Sequence, residues 1–180
     1  MAEAEPAIEI DIRIEAAGWR ASTMPTEQLA TDAVHAALGY MKVAGTVLEL
    51  SILLTDDTTI AALNEQWRDK TGPTNVLSFP GDFPGDPAAN DDLPGGPPVL
   101  LGDIVIAFET VTAEAGEAGI PAADHLRHLV VHGVLHLLGY DHENDEDAAE
   151  MEQFEIAILG TLGVPDPYAA AEQRLERAAQ

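Results

Sequence analysis

The chain has 180 residues, enough for one domain that buries its own hydrophobic core. Its 32 acidic residues against 8 basic ones give a formal net charge of −24, which argues against a general nucleic-acid coat because phosphate binding rests on Lys and Arg. The absence of cysteine excludes disulfides and thiolate metal ligands. Without a signal-peptide pattern or an apolar run near the roughly 20 residues that span a bilayer, a soluble cytoplasmic protein is expected.

The N-terminal half predicts two strands and two helices. Apolar and polar residues alternate over residues 8–16, which is the pattern of a strand with one buried face. A helical pattern follows over about residues 24–41, and residues 48–54 form a second apolar strand pattern. A second helix is expected to run as far as residue 67, with Asp57 or Thr58 as its N-terminal cap.

Two of the 8 basic side chains, Arg68 and Lys70, follow that helix within three residues. From composition alone, Arg68 pairs with Asp69, with Glu65 or with the negative end of the helix dipole. The functional alternative is an anion-binding corner, in which Arg68 offers its forked guanidinium to a phosphate. The residues alone leave both interpretations open.

The middle of the chain predicts two more strands, at residues 76–79 and 100–108, and a helix at 109–118. Residues 80–98, PGDFPGDPAANDDLPGGPP, separate the two strands and hold half of the 12 prolines of the chain. Because a strand pattern resumes directly after this segment, it is expected to be a loop and not a domain linker.

A helix predicted over residues 124–138 carries the most informative pattern of the chain. His132 and His136 are four residues apart, so they lie on one face of the helix and can reach one metal ion at roughly 2.0–2.1 Å. Gly139 can adopt a left-handed conformation that ends the helix and brings His142 back as a third ligand. Three nitrogen ligands with a vacant fourth position are typical of a catalytic zinc site.

The spacing equals that of the metzincin metalloproteases, HExxHxxGxxH, with one difference. Those enzymes carry a Glu after the first histidine as general base, whereas this chain has Gly133, which cannot move a proton. Hydrolysis of peptides by the usual route is therefore not expected. The alternative to a metal site is a set of core histidines, since the surrounding HLVVHGVLHLL is apolar on almost every side. In that case the buried rings of His128, His132 and His136 all need hydrogen-bond partners, which is difficult to arrange for the three together.

The last predicted helix follows the acidic run at residues 143–147, whose charges complement the positive end of its dipole. The tail, residues 165–180, is polar. Together these patterns predict a single α+β domain over residues 1–180, with a mixed sheet of about four strands, five or six helices and a metzincin-like metal helix.

Three motifs in order over about residues 50–160, LNEQWRDKTGPTNVLSFP, LLGDIVI and HLVVHGVLHLLGYDH, resemble the YbeY family of bacterial metal-dependent endoribonucleases. The resemblance implies one zinc ion held by His132, His136 and His142, and a functional arginine, Arg68. It also implies cleavage of single-stranded RNA, action at the 3′ end of 16S ribosomal RNA, and ribosome maturation and quality control. The expected partners are therefore ribosomal RNA and the ribosomal subunit, without DNA or membrane.

Other polar residues near these motifs are assigned as expectations. Lys70, Asn75 and Ser78 are expected to line the substrate groove, and Arg127 is expected to add positive charge near it. His128 is either a general base or a residue that packs beside the metal ligands and supports them; Asp103 and Asp141 are expected to orient metal ligands. Two other functions remain open: a ribosome-assembly binding factor with a mainly structural metal, and a zinc peptidase with an unconventional base.

Overall fold

The computed structural model describes residues 7–43, 47–83 and 97–169. In chain order its elements are β1 (Ile8–Ile14), α1 (Ala17–Ala21), α2 (Thr26–Tyr40), β2 (Leu48–Thr55), α3 (Asp57–Arg68), β3 (Val76–Pro80), β4 (Val99–Ala107), α4 (Phe108–Ala118), α5 (Ala122–Leu137) and α6 (Asp145–Thr161). The predicted α+β class is confirmed. None of the described helices is long and apolar enough to cross a bilayer.

The four strands form one mixed sheet in the order β1-β2-β4-β3. β2 pairs in parallel with both β1 and β4, whereas β3 runs antiparallel to β4 and forms one edge. The expected loop between β3 and β4 falls largely on residues 84–96, which lie outside the described residues.

The sheet has two unequal faces. On one face, alternate strand residues such as Leu50, Ile52 and Ile104 are fully buried in the main core, which α2 and α5 cover. On the other face, α3 covers only a small cluster that contains Ile60 and Val105. The strand alternation therefore directs one set of side chains to α5 and leaves part of the opposite face open.

Helix α5 packs closely on the sheet because Gly133 has no side chain. A Cβ atom built at Gly133 would lie 2.8 Å from Cδ1 of Ile104 on β4. Gly133 therefore faces the sheet, while the histidine before it faces the neighbouring side of the helix. A Glu at this position would point into β4, so the missing peptidase base has a packing reason as well.

Two local features differ from the sequence predictions. The short helix α1 was not predicted, because five residues are too few to show a period; its buried Trp19 donates a hydrogen bond to the Thr55 carbonyl at 3.0 Å. The cap of α3 is Asp56, which accepts from the Thr59 N–H at 2.8 Å, and not Asp57 or Thr58. Asp57 instead accepts from the Thr110 hydroxyl at 2.6 Å and joins α3 to α4.

Candidate metal centre and groove

The end of α5 turns the chain back towards the helix. Gly139 has φ 98°, the left-handed conformation predicted for it. The Gly139 N–H donates to the His136 carbonyl and the Tyr140 N–H to the Leu135 carbonyl, each at 3.0 Å, which is the double hydrogen bond of a Schellman motif. Asp141 then accepts from the His142 N–H at 2.7 Å and orders the turn, in agreement with the orienting role expected for it.

This turn brings His132, His136 and His142 together, with one ring nitrogen of each within 4.8 Å of the others. The Nε2 atoms of His132 and His136 are 3.0 Å apart. Two nitrogens bound to one ion at roughly 2.0–2.1 Å in a tetrahedral arrangement lie roughly 3.3 Å apart, so the observed separation fits a shared metal ion. His142 is exposed, which leaves the cluster open to solvent on one side.

The environment of His136 favours the neutral imidazole that a metal requires. Burial, together with the charges of His132 and His142, lowers the pKa of His136 to about 4, against a smaller opposing contribution from the Tyr140 backbone. At neutral pH its ring nitrogen therefore has a free lone pair.

A buried carboxylate, Glu155 on α6, supports the cluster from behind. Its Oε1 accepts from Nδ1 of His132 at 2.5 Å, and its Oε2 accepts from Nε2 of His128 at 3.0 Å and from the Tyr168 hydroxyl. Burial would raise the pKa of Glu155, but the hydrogen bonds and charges of the two histidines outweigh it and lower that pKa to about 2. Burial and the Glu155 charge raise the pKa of Tyr168, so its hydroxyl remains a donor.

Neither Glu155 nor Tyr168 was identified from the sequence. A signal for Glu155 was present, because it occupies a position of the apolar stripe of α6, four residues after Met151 and three before Ile158. Tyr168 belongs to the tail, to which the sequence assigned only a polar character. Its side chain is half-buried against His128 and Glu155.

The histidines open into a groove of about 710 Å³ between the C-terminal end of α5 and the segment from α3 to β3. We call it the histidine groove. Its lining includes the three expected metal ligands and the four residues expected to act on or bind the substrate: Arg68, Lys70, Asn75, Ser78, His132, His136 and His142. The same groove is also lined by Trp67, a residue that is 64% exposed, and by Phe79, whose ring centroid lies 6.3 Å from that of Trp67.

Two of these residues differ in how their polar groups are used. Arg68 is exposed in the last turn of α3 and forms no ion pair with another described residue, so pairing with Asp69 or Glu65 does not occupy it. Asn75 donates to Glu114 at 3.0 Å and accepts from the Val76 N–H, so its amide already fastens the start of β3 to α4.

Three of the other expected residues lie elsewhere. Asp103 does not support the metal ligands, because strand alternation places it on the opposite face of the sheet from Ile104 and α5. Arg127 is not among the lining residues of the histidine groove and pairs with Asp124 at 3.3 Å. His128 contacts Glu155 and is likewise absent from the lining of the histidine groove. The structure therefore agrees with a packing and supporting role for His128 and not with a role as general base.

Asp103 lines a second groove, of about 500 Å³, on the open face of the sheet. We call it the acidic groove, since its carboxylates are Asp11, Glu15 and Asp103 and its cation is Arg13. Much of the remaining lining is apolar and comes from β2, α3 and β4, together with Trp67 and Phe79, which both grooves share.

Comparison with known proteins gives concordant matches. The family model described as Endoribonuclease YbeY matches residues 12–163. The chain is 48% identical over 166 residues to Endoribonuclease YbeY of Paramagnetospirillum magneticum, covering 89% of this chain and 96% of that protein. It is 51% identical over 159 residues to Endoribonuclease YbeY of Rhodospirillum rubrum, covering 85% and 78% of the two chains.

The fold also matches a solved structure. The solution structure of TM1509 from Thermotoga maritima aligns with a TM-score of 0.51 over 86% of this chain and 91% of that one, at 24% sequence identity. At that identity the match concerns the fold alone.

Proposed function

Because this chain belongs to the YbeY endoribonuclease family, we propose that it is a metal-dependent endoribonuclease that cuts single-stranded RNA. The family resemblance expected from its three motifs is thereby confirmed. The observation that carries the proposal is the convergence of three imidazoles in a groove that also contains Arg68, a cation without a partner among the described residues.

His132, His136 and His142 would hold one metal ion per chain. Zinc fits best, since three neutral imidazoles with an open side suit it, and the neutral state of His136 supports this assignment. When bound, such an ion supplies Lewis-acid activation of a phosphodiester and of water.

Arg68 would stabilise the negative charge that develops on the phosphate during cleavage. Its guanidinium presents several donors in a fixed plane, which matches the geometry of phosphate oxygens. Its exposure in the histidine groove leaves these donors available to substrate. Donors directed at developing charge contribute most in the transition state and little in the bound substrate.

Lys70, Trp67 and Ser78 would bind the RNA strand along the groove. Lys70 supplies a second positive charge, and the exposed face of Trp67 offers a surface on which a base can stack. A small cationic groove within an acidic surface admits a flexible single strand and repels a rigid duplex. Asn75 would act mainly by fixing the wall of the groove through Glu114.

The natural substrate we propose is ribosomal RNA, cut at the 3′ end of 16S rRNA during maturation and quality control of the ribosomal subunit in the cytoplasm. This assignment follows from the family to which the chain belongs. The net charge of −24 is consistent with RNA that contacts the protein only at the groove, and not with general binding of RNA over the whole surface.

Metal content and cleavage of a single-stranded RNA oligonucleotide, measured side by side, test the proposal. We expect the wild type and His35→Ala, an exposed histidine of α2, to hold metal and to cut RNA. His136→Ala should lose both properties, with cleavage reduced by more than the roughly 10- to 100-fold that follows loss of an outer partner.

The outcomes separate the alternative functions. If His136→Ala retained its metal, the proposed metal site would be wrong. A wild type that holds metal and cuts no RNA, duplex or single-stranded, would favour the ribosome-assembly binding factor. Cleavage of peptides instead of RNA would favour the peptidase.

A further inference from the structure

Glu155 is the one charged side chain among the described residues that is fully buried, with 1% of its surface exposed. An ionised carboxylate removed from water is costly unless hydrogen bonds replace its hydration. Glu155 has three such bonds, from His132, His128 and Tyr168, shared between its two oxygens. Glu155 stands at a position of the α6 stripe where Met151 and Ile158 are apolar, and one of its three bonds comes from the candidate metal ligand His132, so its charge calls for a role beyond packing.

The bond from His132 determines which of its ring nitrogens carries the proton. An ionised carboxylate only accepts hydrogen bonds, so Nδ1 of His132 is the donor at 2.5 Å. In the neutral ring the lone pair is then on Nε2, the atom that lies 3.0 Å from Nε2 of His136. The bond also fixes the plane of the ring, since the imidazole is now held at both its Cβ and its Nδ1.

The other two bonds hold the carboxylate itself. His128 and Tyr168 both bind Oε2, and the His128 Nε2 lies 3.3 Å from the Tyr168 hydroxyl. With Oε2 held by two donors, Oε1 cannot turn away from His132. Tyr168 lies beyond the end of α6, so the segment after the last long helix takes part in the support.

We propose that Glu155 is a positioning residue for the metal ligand His132, and that His128 and Tyr168 hold Glu155 in place for that task. The inference rests on the proposed metal site and adds to it the outer contacts that set its affinity. Outer hydrogen-bond partners of ligating histidines typically change metal affinity by about 10- to 100-fold.

Two isosteric substitutions test it in the full chain. Glu155→Gln removes the charge and one acceptor, and we expect the affinity for zinc, measured by competition with a chromophoric chelator, to fall about 10- to 100-fold. Tyr168→Phe removes only the hydroxyl and should lie at the lower end of that range, about tenfold. Matched controls are Glu146→Gln at an exposed position of α6 and Tyr40→Phe at a residue that is 45% exposed; both should keep the wild-type affinity.

A second readout separates positioning from a purely structural contribution. Zinc raises the Tm of a protein that binds it in the native state, by an amount set by its affinity. A positioning role predicts that this zinc-induced rise shrinks in Glu155→Gln and Tyr168→Phe, and that the absorption spectrum of the cobalt-loaded protein shifts. A purely structural role predicts an equal fall in Tm with and without zinc and an unchanged cobalt spectrum.

The proposal is overturned if both variants bind zinc within about twofold of the wild type, well inside the range for an outer partner. Failure of the underlying function would look different. If the wild type and His132→Ala bound zinc equally, the metal site would be wrong; if the wild type bound zinc but cut no RNA, the positioning role would stand and the nuclease would not.

Discussion

The histidine groove and the acidic groove share Trp67 and Phe79 but differ in every charged group that lines them. The first brings together three imidazoles with Arg68 and Lys70, whereas the second sets three carboxylates against Arg13 above a largely apolar floor. Both have room for a ligand of moderate size, about 710 and 500 Å³. What each groove can bind therefore depends more on the chemistry of its lining than on its volume.

The comparison shows that local charge can oppose the net charge of a chain. With 32 acidic residues, most of the surface repels phosphate, yet the histidine groove concentrates two of the 8 basic side chains beside the candidate metal centre. A negative surround also weakens non-specific contacts elsewhere, so RNA is expected to bind productively at the groove or not at all. Substitutions in one groove at a time therefore test whether RNA is bound and cut in the histidine groove alone.

The largest effect we expect in this comparison comes from Arg68. Arg68→Ala should lower kcat for a single-stranded RNA about 10²- to 10³-fold, the cost of removing one donor to developing charge, with zinc content and Tm unchanged. Arg68→Lys should recover only part of the loss, since a lysine keeps the charge and not the planar fork. The control is Arg13→Ala in the acidic groove, which should cut RNA normally. An equal loss of activity in Arg13→Ala and Arg68→Ala would contradict the assignment of cleavage to the histidine groove.

A smaller effect is expected for Trp67, the residue that both grooves share. Stacking of one base on an aromatic side chain contributes about 1–3 kcal/mol, so Trp67→Ala should reduce kcat/KM for single-stranded RNA about tenfold, mainly through KM. Trp67→Tyr should retain most of the activity because it keeps a stacking face. Leu63→Ala, which alters the acidic groove alone, is the control; a tenfold loss there as well would mean that Trp67 acts through the other groove.

The sequence predicted those parts of the site that depend on short spacing. His132 and His136 share a face because a helix repeats every 3.6 residues, and Gly139 marks the turn that returns His142; both inferences are local. The four strands could be predicted for the same reason, since alternation and short apolar runs are read within a few residues.

Contacts across the fold could not be predicted in this way. Arg68 lines the same groove as the histidines because β3, which follows α3, lies beside α5, and no pattern within either segment indicates that pairing. Glu155 lies 23 residues after His132, and Tyr168 lies 13 residues after Glu155. The bond of Glu155 to His132 and the bond of Tyr168 to Glu155 therefore depend on how α6 and the segment after it pack on α5. Asp103 was expected to orient a metal ligand but lines the other groove, because the alternation of a strand shows which residues share a face and not which face a site occupies.

The smallest effect we expect concerns Gly133, which lets α5 pack closely against β4. Ala is favoured over Gly in a helix by about 0.5–1 kcal/mol, but a Cβ here would lie 2.8 Å from Cδ1 and 3.2 Å from both Cγ atoms of the fully buried Ile104. Overpacking of this kind costs about 1–3 kcal/mol, so Gly133→Ala should lower the free energy of unfolding by about 1 kcal/mol net. Gly116→Ala in α4, where a Cβ meets nothing within 4 Å, should instead raise it by about 0.5–1 kcal/mol. Urea unfolding of the two variants measures the contrast, and a stabilised Gly133→Ala would show that α5 can move away from β4 without cost.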